Sequence, residues 1–155
     1  NRLGMKAAEW QAAAPFLLEA GPELLMSHLA CADEDGHPMN AAQLAAFEAA
    51  RLGAQCQDID IAARGVIERA GFGPGYATPG LPHRTGHGIG LDVHETPYIV
   101  QGDKTLLAPG MTFSDEPGIY LRGEFGVRLE DDMVITDNGA ELMTPQSTSL
   151  ETPFA

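Results

Sequence analysis

A chain of 155 residues that is 44% hydrophobic and 20% charged has the make-up of one soluble globular domain. A domain of this size buries roughly 70% of the surface its unfolded form exposes. Its 22 acidic against 9 basic residues give a net charge of -13, which argues against nucleic acid or an anionic membrane as partner and favours cations. No apolar run approaches the roughly 20 residues that span a bilayer, and Asn1-Arg2-Leu3-Gly4-Met5 lacks a signal-peptide core, so a cytoplasmic protein is expected. The chain does not open on methionine, as an excerpt from a longer precursor would not. Cys31 and Cys56 have no CxxC spacing and are expected to be free thiols.

In chain order, Lys6 to Phe16 is alanine-rich and predicts a helix that Pro15 ends. A second helix restarts at Gly21-Pro22, with Leu24, Leu25, His28 and Leu29 on one face. Asp33 to Pro38 reads as a turn. Ala41 to Leu52 predicts a helix with Leu44 and Phe47 on its stripe and a stop at Gly53. Ile59, Ala62, Ala63, Val66, Ile67 and Ala70 mark another, capped by Asp58 and ended by Gly71. Phe72 to Leu81 is a Gly/Pro loop. Short strands are expected at Met111 to Ser114, Gly118 to Leu121, Val127 to Thr136 and Ala140 to Thr144, the last two joined by Asp137-Asn138-Gly139. Helices followed by strands predict an α+β fold, with helices on one face of a mainly antiparallel sheet.

Three metal-ligand types stand in glycine-rich settings: His87, Glu116 and Glu130. One imidazole and two carboxylates suit Mn, Fe, Co or Zn. Alternation along Val127 to Ile135 puts Val127, Leu129, Met133 and Ile135 on one face and Arg128, Glu130 and Asp132 on the other, with Asp131 out of pattern. Thr112, Ser114 and Glu116 share a face, so neighbouring strands can aim Glu116 and Glu130 into one cavity. Their repulsion then calls for a cation or Arg128. His94 lies seven residues after His87, and only a bend at Gly88 or Gly90 brings both to one cavity. His83 can reach the same pocket, whereas His28 and His37 read as structural or surface residues. Neither a nucleophile elbow nor a GxGxxG dinucleotide motif is present.

Three blocks, His83-Arg84-Thr85-Gly86-His87-Gly88-Ile89-Gly90-Leu91-Asp92-Val93-His94-Glu95-Thr96-Pro97-Tyr98, Pro109 to Tyr120 and Phe125 to Asp132, closely resemble the Xaa-Pro dipeptidases and aminopeptidases. These prolidase-like enzymes are pita-bread metallopeptidases, alongside methionine aminopeptidase and creatinase. The resemblance covers roughly residues 41–145 and implies the second half of such a catalytic domain, after a poorly matching segment 1–40 and before an irregular tail 146–155. It implies that His87, Glu116 and Glu130 bind metal, with Glu130 bridging two ions. It implies that His94 and Glu116 are catalytic, Glu116 as general base, and that His83 and Arg128 serve substrate binding. The cations it implies are Mn or Co, with Zn or Fe as alternatives. The partner it implies is a small Xaa-Pro peptide.

Two further Asp ligands of the family come from a first half that has no counterpart here, and Asp33 and Asp35 are poor substitutes. One ion or none is therefore compatible with the chain. Asp115 stands where the family usually has an apolar residue. The expectation is a peptidase, completed by a homodimer partner or by a missing half on another chain. The alternatives are a truncated pita-bread module that binds without catalysis, or a purely structural remnant.

Overall fold

The computed structural model describes residues 26–28 and 38–143. The expected helix over Lys6 to Phe16, the turn from Asp33, Cys31 and the tail fall outside them. The elements are β1 (Met26–His28), α1 (Pro38–Ala49), α2 (Cys56–Arg69), β2 (Gly86–Gly88), β3 (Glu95–Ile99), β4 (Thr112–Asp115), β5 (Gly118–Leu121), β6 (Phe125–Arg128), β7 (Asp131–Thr136) and β8 (Gly139–Leu142). They build a five-stranded sheet in the order β3-β2-β4-β7-β8 and a three-stranded one in the order β1-β6-β5. Every pairing is antiparallel except β1 with β6. The α+β expectation holds, with two helices on a mainly antiparallel sheet. Among the described residues no helix is long and apolar enough to cross a membrane.

Both helices cover one side of the sheets. Ala46, Ala50, Cys56, Ile59 and Ala63 pack on Ile99, Phe113, Met133 and Ile135 of the larger sheet. Met39, Ala42 and Ile67 pack on Leu81, Ile119 and Leu129 beside the smaller one. Cys56 lies in this core as a free thiol, its pKa pushed up to about 11 by burial.

Several sequence expectations need correction. α1 begins and ends three residues earlier than expected, and its buried face is Met39, Ala42 and Ala46, with Leu44 left 56% exposed. Alanines win that face because their small side chains let α1 close against α2 and the sheets. α2 is capped by Gln55, not Asp58. Asp58 sits three residues inside, where its carboxylate accepts the Gln55 N–H at 3.0 Å. Gly71 does follow the helix end, with φ +94. His28 lies in strand β1 rather than on a helix, because a parallel ladder to Gly126–Arg128 claims residues 26–28. The run Val127 to Thr136 is two strands in two sheets, interrupted at Leu129-Glu130. The β7–β8 hairpin forms as expected, with Thr136 opposite Gly139.

Candidate active site

β2 is the strand that composition hid. It is three residues long and two of them are glycine. Gly86 lies so close to the Ser114 carbonyl that a Cβ there would collide with backbone, and Gly88 meets the Thr96 carbonyl in the same way. Only bare backbone lets β2 sit between β3 and β4. The register slips between His87 and Gly88, and the chain then loops through residues 89–94, closed by the Glu95 carboxylate accepting the Asp92 N–H at 3.0 Å. That bend returns His94 to His87, their ring centroids 4.3 Å apart.

Strand alternation settles the other side chains. Phe113 faces the helices, while Ser114 and Glu116 face away, the Ser114 hydroxyl donating to Glu116 Oε1 at 3.4 Å. Ser114 Oγ also accepts the His87 N–H at 3.1 Å. His87 Nδ1 lies 3.0 Å from the Gly88 carbonyl, which can only accept, so Nδ1 carries the proton. His87 Nε2 lies 3.2 Å from Glu116 Oε1. The other oxygen of Glu116 meets Arg128 Nη1 at 3.1 Å, and Arg128 Nη2 meets Glu130 Oε2 at 3.3 Å. One guanidinium thus spans both glutamates, whose side chains are only 9% and 8% exposed, and neutralises charge that would otherwise repel in a low-dielectric setting.

A cavity of about 500 Å³ opens beside this group, lined by His83, Arg84, His94, Tyr98, Val100, Glu116 and Arg128. His83 Nδ1 donates to the Arg84 carbonyl at 2.6 Å, so its Nε2 accepts from the Tyr120 hydroxyl at 2.9 Å. Burial first holds the His83 imidazole below its ordinary value, and burial likewise raises the Tyr120 phenol, so both are neutral at pH 7.

The structure thus joins His87 to Glu116 and His94 directly and Glu130 to Glu116 through Arg128, and sets His83 in the adjoining wall. The donors suit a divalent cation in type, and His87 and Glu116 also in aim. Among the described residues, however, no three His, Cys, Asp or Glu side chains are grouped to hold a metal ion as they stand. The sequence places Ser114 on the Glu116 face but gives it no role, and it does not single out Tyr120. Tyr120 sits four residues after Glu116, and nothing local marks it.

Asp115 points the opposite way, 1% exposed, with no hydrogen-bond partner for either oxygen. It lies across the ladder from Asp131, whose carboxylate accepts the Gln43 amide at 2.9 Å. Burial, then the charges of Asp131 and Glu116, raise its pKa well above the usual carboxylate range. In the unfolded chain this group ionises near its ordinary value, whereas folding keeps its proton to higher pH. Stability is therefore lost as pH rises from the unfolded value through the folded one, and the deficit persists above both. Asp115→Asn is expected to raise stability at pH 8 by about 1–3 kcal/mol and to leave pH 3 stability nearly unchanged. Urea midpoints at the two pH values check this.

The family model described as Metallopeptidase family M24 matches residues 37–137. A second, Alanine racemase, N-terminal domain, matches residues 1–66, less than half of the chain, and overlaps the first over α1 and most of α2. The probable dipeptidase PepE of Mycobacterium tuberculosis is 51% identical over 102 residues, covering 66% of this chain and 26% of its own length. The crystal structure of dipeptidase PepE from Mycobacterium ulcerans superposes with a TM-score of 0.65 at 46% identity, over 72% of this chain and 29% of that one. Prolidase from Pyrococcus furiosus does so with a TM-score of 0.65 at 41% identity, over 71% and 31%. The chain therefore spans under a third of the length of these relatives, and the residues matched by the family model, 37–137, include all the site residues described above.

Proposed function

The chain belongs to metallopeptidase family M24, and from that premise we propose that it acts as a metal-dependent peptidase cleaving the bond before proline in small Xaa-Pro peptides. The observation that supports this reading is the continuous group His94–His87–Glu116–Arg128–Glu130, of which His94, Glu116 and Arg128 line a cavity sized for a dipeptide. His87, Glu116 and Glu130 would hold the cation, with Mn or Co the proposed occupant. When bound, such a cation polarises the scissile carbonyl and makes water acidic enough to act near neutral pH.

The chain's own residues supply the remainder. Glu116 has Oε1 beside the His87 and Ser114 side chains and can accept the proton of the attacking water there. Arg128 holds its other oxygen, so the carboxylate keeps its orientation as the proton arrives. His94, exposed and packed on the His87 ring, can donate a hydrogen bond to the carbonyl oxygen as negative charge develops. His83, neutral and fixed by Tyr120, lines the wall against which the proline side of the substrate would lie. A second copy of the chain, or another chain, is proposed to complete the metal shell.

The Arg128 bridge between the two glutamates, together with the lack of a grouped three-donor set among the described residues, favours a second reading: a module that binds without catalysis. Release of proline from glycyl-proline separates the two. Chelator-sensitive release restored by Mn or Co supports the peptidase. No release at saturating metal, with glycyl-proline still bound, leaves the binding module.

A further inference from the structure

The cavity wall hangs from a buried ion pair that the proposed chemistry does not use. Asp60 and Arg64 lie one turn apart on α2 and are 0% and 5% exposed. Their contact is bidentate, Arg64 Nε to Oδ2 at 3.1 Å and Nη2 to Oδ1 at 3.0 Å. Burying such a pair is costly, and hydrophobic residues of like size often do as well for stability. What distinguishes this pair is where its remaining hydrogen bonds go.

All five guanidinium N–H groups of Arg64 are engaged. Besides the two on Asp60, Nη1 donates to the carbonyls of Gly75 and Leu81, and Nη2 donates to that of His83 at 2.9 Å. Asp60 Oδ1 accepts both the N–H and the hydroxyl of Thr85, at 3.1 and 2.8 Å. Oδ2 accepts the Tyr76 hydroxyl at 3.0 Å, and that hydroxyl accepts the Gln101 N–H at 3.1 Å. The Tyr76 ring lies 3.7 Å beneath the guanidinium carbon.

One pair therefore ties down three segments: the Gly/Pro loop up to His83, the residue before β2, and the turn after β3. Those segments carry or adjoin His83, Arg84, Tyr98 and Val100, the cavity lining apart from His94 and the glutamate–arginine group. Arg84 and Tyr98 also meet each other across the wall, the guanidinium 4.7 Å over the ring. The His87–Glu116 contact has further supports in Ser114 and the ladder of β4 with β7, and it meets the clamp through backbone, the Thr85 carbonyl accepting the Glu116 N–H at 2.7 Å.

We propose that Asp60 and Arg64, with Thr85 and Tyr76, are positioning residues that set the substrate-side wall of the cavity through side-chain bonds distinct from those that hold His87 against Glu116. The claim rests on the reading of that cavity as a peptide site, but one of its readouts does not. His83 is held as the Nδ1–H tautomer only while the Arg84 carbonyl stays against its ring, and that carbonyl lies between the two clamped residues, His83 and Thr85.

Thr85→Val keeps shape and the backbone bond from Thr85 N to the Ile99 carbonyl while deleting the hydroxyl on Asp60, and Tyr76→Phe keeps the ring under Arg64. For both, KM for glycyl-proline is expected to rise on the order of 10-fold with kcat and Mn affinity within about 2-fold of the parent. In long-range ¹H–¹⁵N spectra the His83 ring is expected to shift from Nδ1–H toward a tautomer mixture. Thr85→Ser is expected to restore both signals. An unchanged KM with an unchanged His83 spectrum overturns the proposal, as does a fall of kcat, Mn affinity and melting temperature together. If the parent protein releases no proline, the peptidase reading fails by itself. The His83 spectrum of Thr85→Val then decides: a mixture upholds the positioning role, and an unchanged Nδ1–H ring removes it.

Discussion

His87→Ala is expected to lower kcat/KM for Xaa-Pro hydrolysis by about 10³-fold or more and to weaken Mn or Co binding at least as strongly as loss of an outer partner, roughly 10–100-fold. The reason is local. His87 is the imidazole of the group: its Nδ1 is engaged by the Gly88 carbonyl, and its Nε2 lies 3.2 Å from Glu116 Oε1. Alanine removes that imidazole from Glu116 and leaves Arg128 bridging the two glutamates. Stability should change little by comparison, because the β2 backbone bonds and the Ser114 contact to the His87 N–H survive. Titration of Mn by electron paramagnetic resonance, beside proline release, checks both halves. Parent-level turnover in the variant would remove His87 from the proposed ligands.

Arg128→Met is expected to be the most destabilising single change at the site, by about 3–5 kcal/mol in the metal-free protein. Methionine roughly replaces the stem but abandons Glu116 and Glu130, each more than nine-tenths buried, to face one another without the shared cation between them. Against a typical total of about 5–15 kcal/mol, such a loss brings the chain near unfolding. Saturating Mn should recover part of the loss, since a cation held by the same carboxylates replaces the missing charge. Chemical denaturation with and without Mn measures this directly. Equal destabilisation in both conditions would show that the glutamates do not share a cation.

Much of the helical layer is legible in the chain. α2 follows from six small or apolar residues at helical spacing and ends at a glycine with φ +94. The β7–β8 hairpin follows from Asp137-Asn138-Gly139. The break inside Val127 to Thr136 is not legible. An alternating run looks like one strand until two sheets compete for it, β6 pairing with β5 and β7 with β4. Nor is β2 visible, because two glycines in three residues lower strand propensity and the need for them arises from backbones on either side. α1 shows the same limit: Leu44 outranks alanine in hydropathy, yet the close approach of a helix to two sheets selects Ala42 and Ala46.

What the sequence determined alone is the donor inventory and its local setting: an imidazole between glycines, two glutamates in strand-like blocks, and an arginine two residues before the second. Those blocks sufficed to mark the family, since residue type and spacing along a chain are one-dimensional facts. Which of these groups touch was decided by tertiary structure. The slip after His87 that brings His94 back, the Arg128 bridge over both glutamates, and the Asp60–Arg64 tie to the cavity wall all join residues from separate elements. Contacts of that kind depend on strand order and on close backbone approach, and neither is written in any local stretch of sequence.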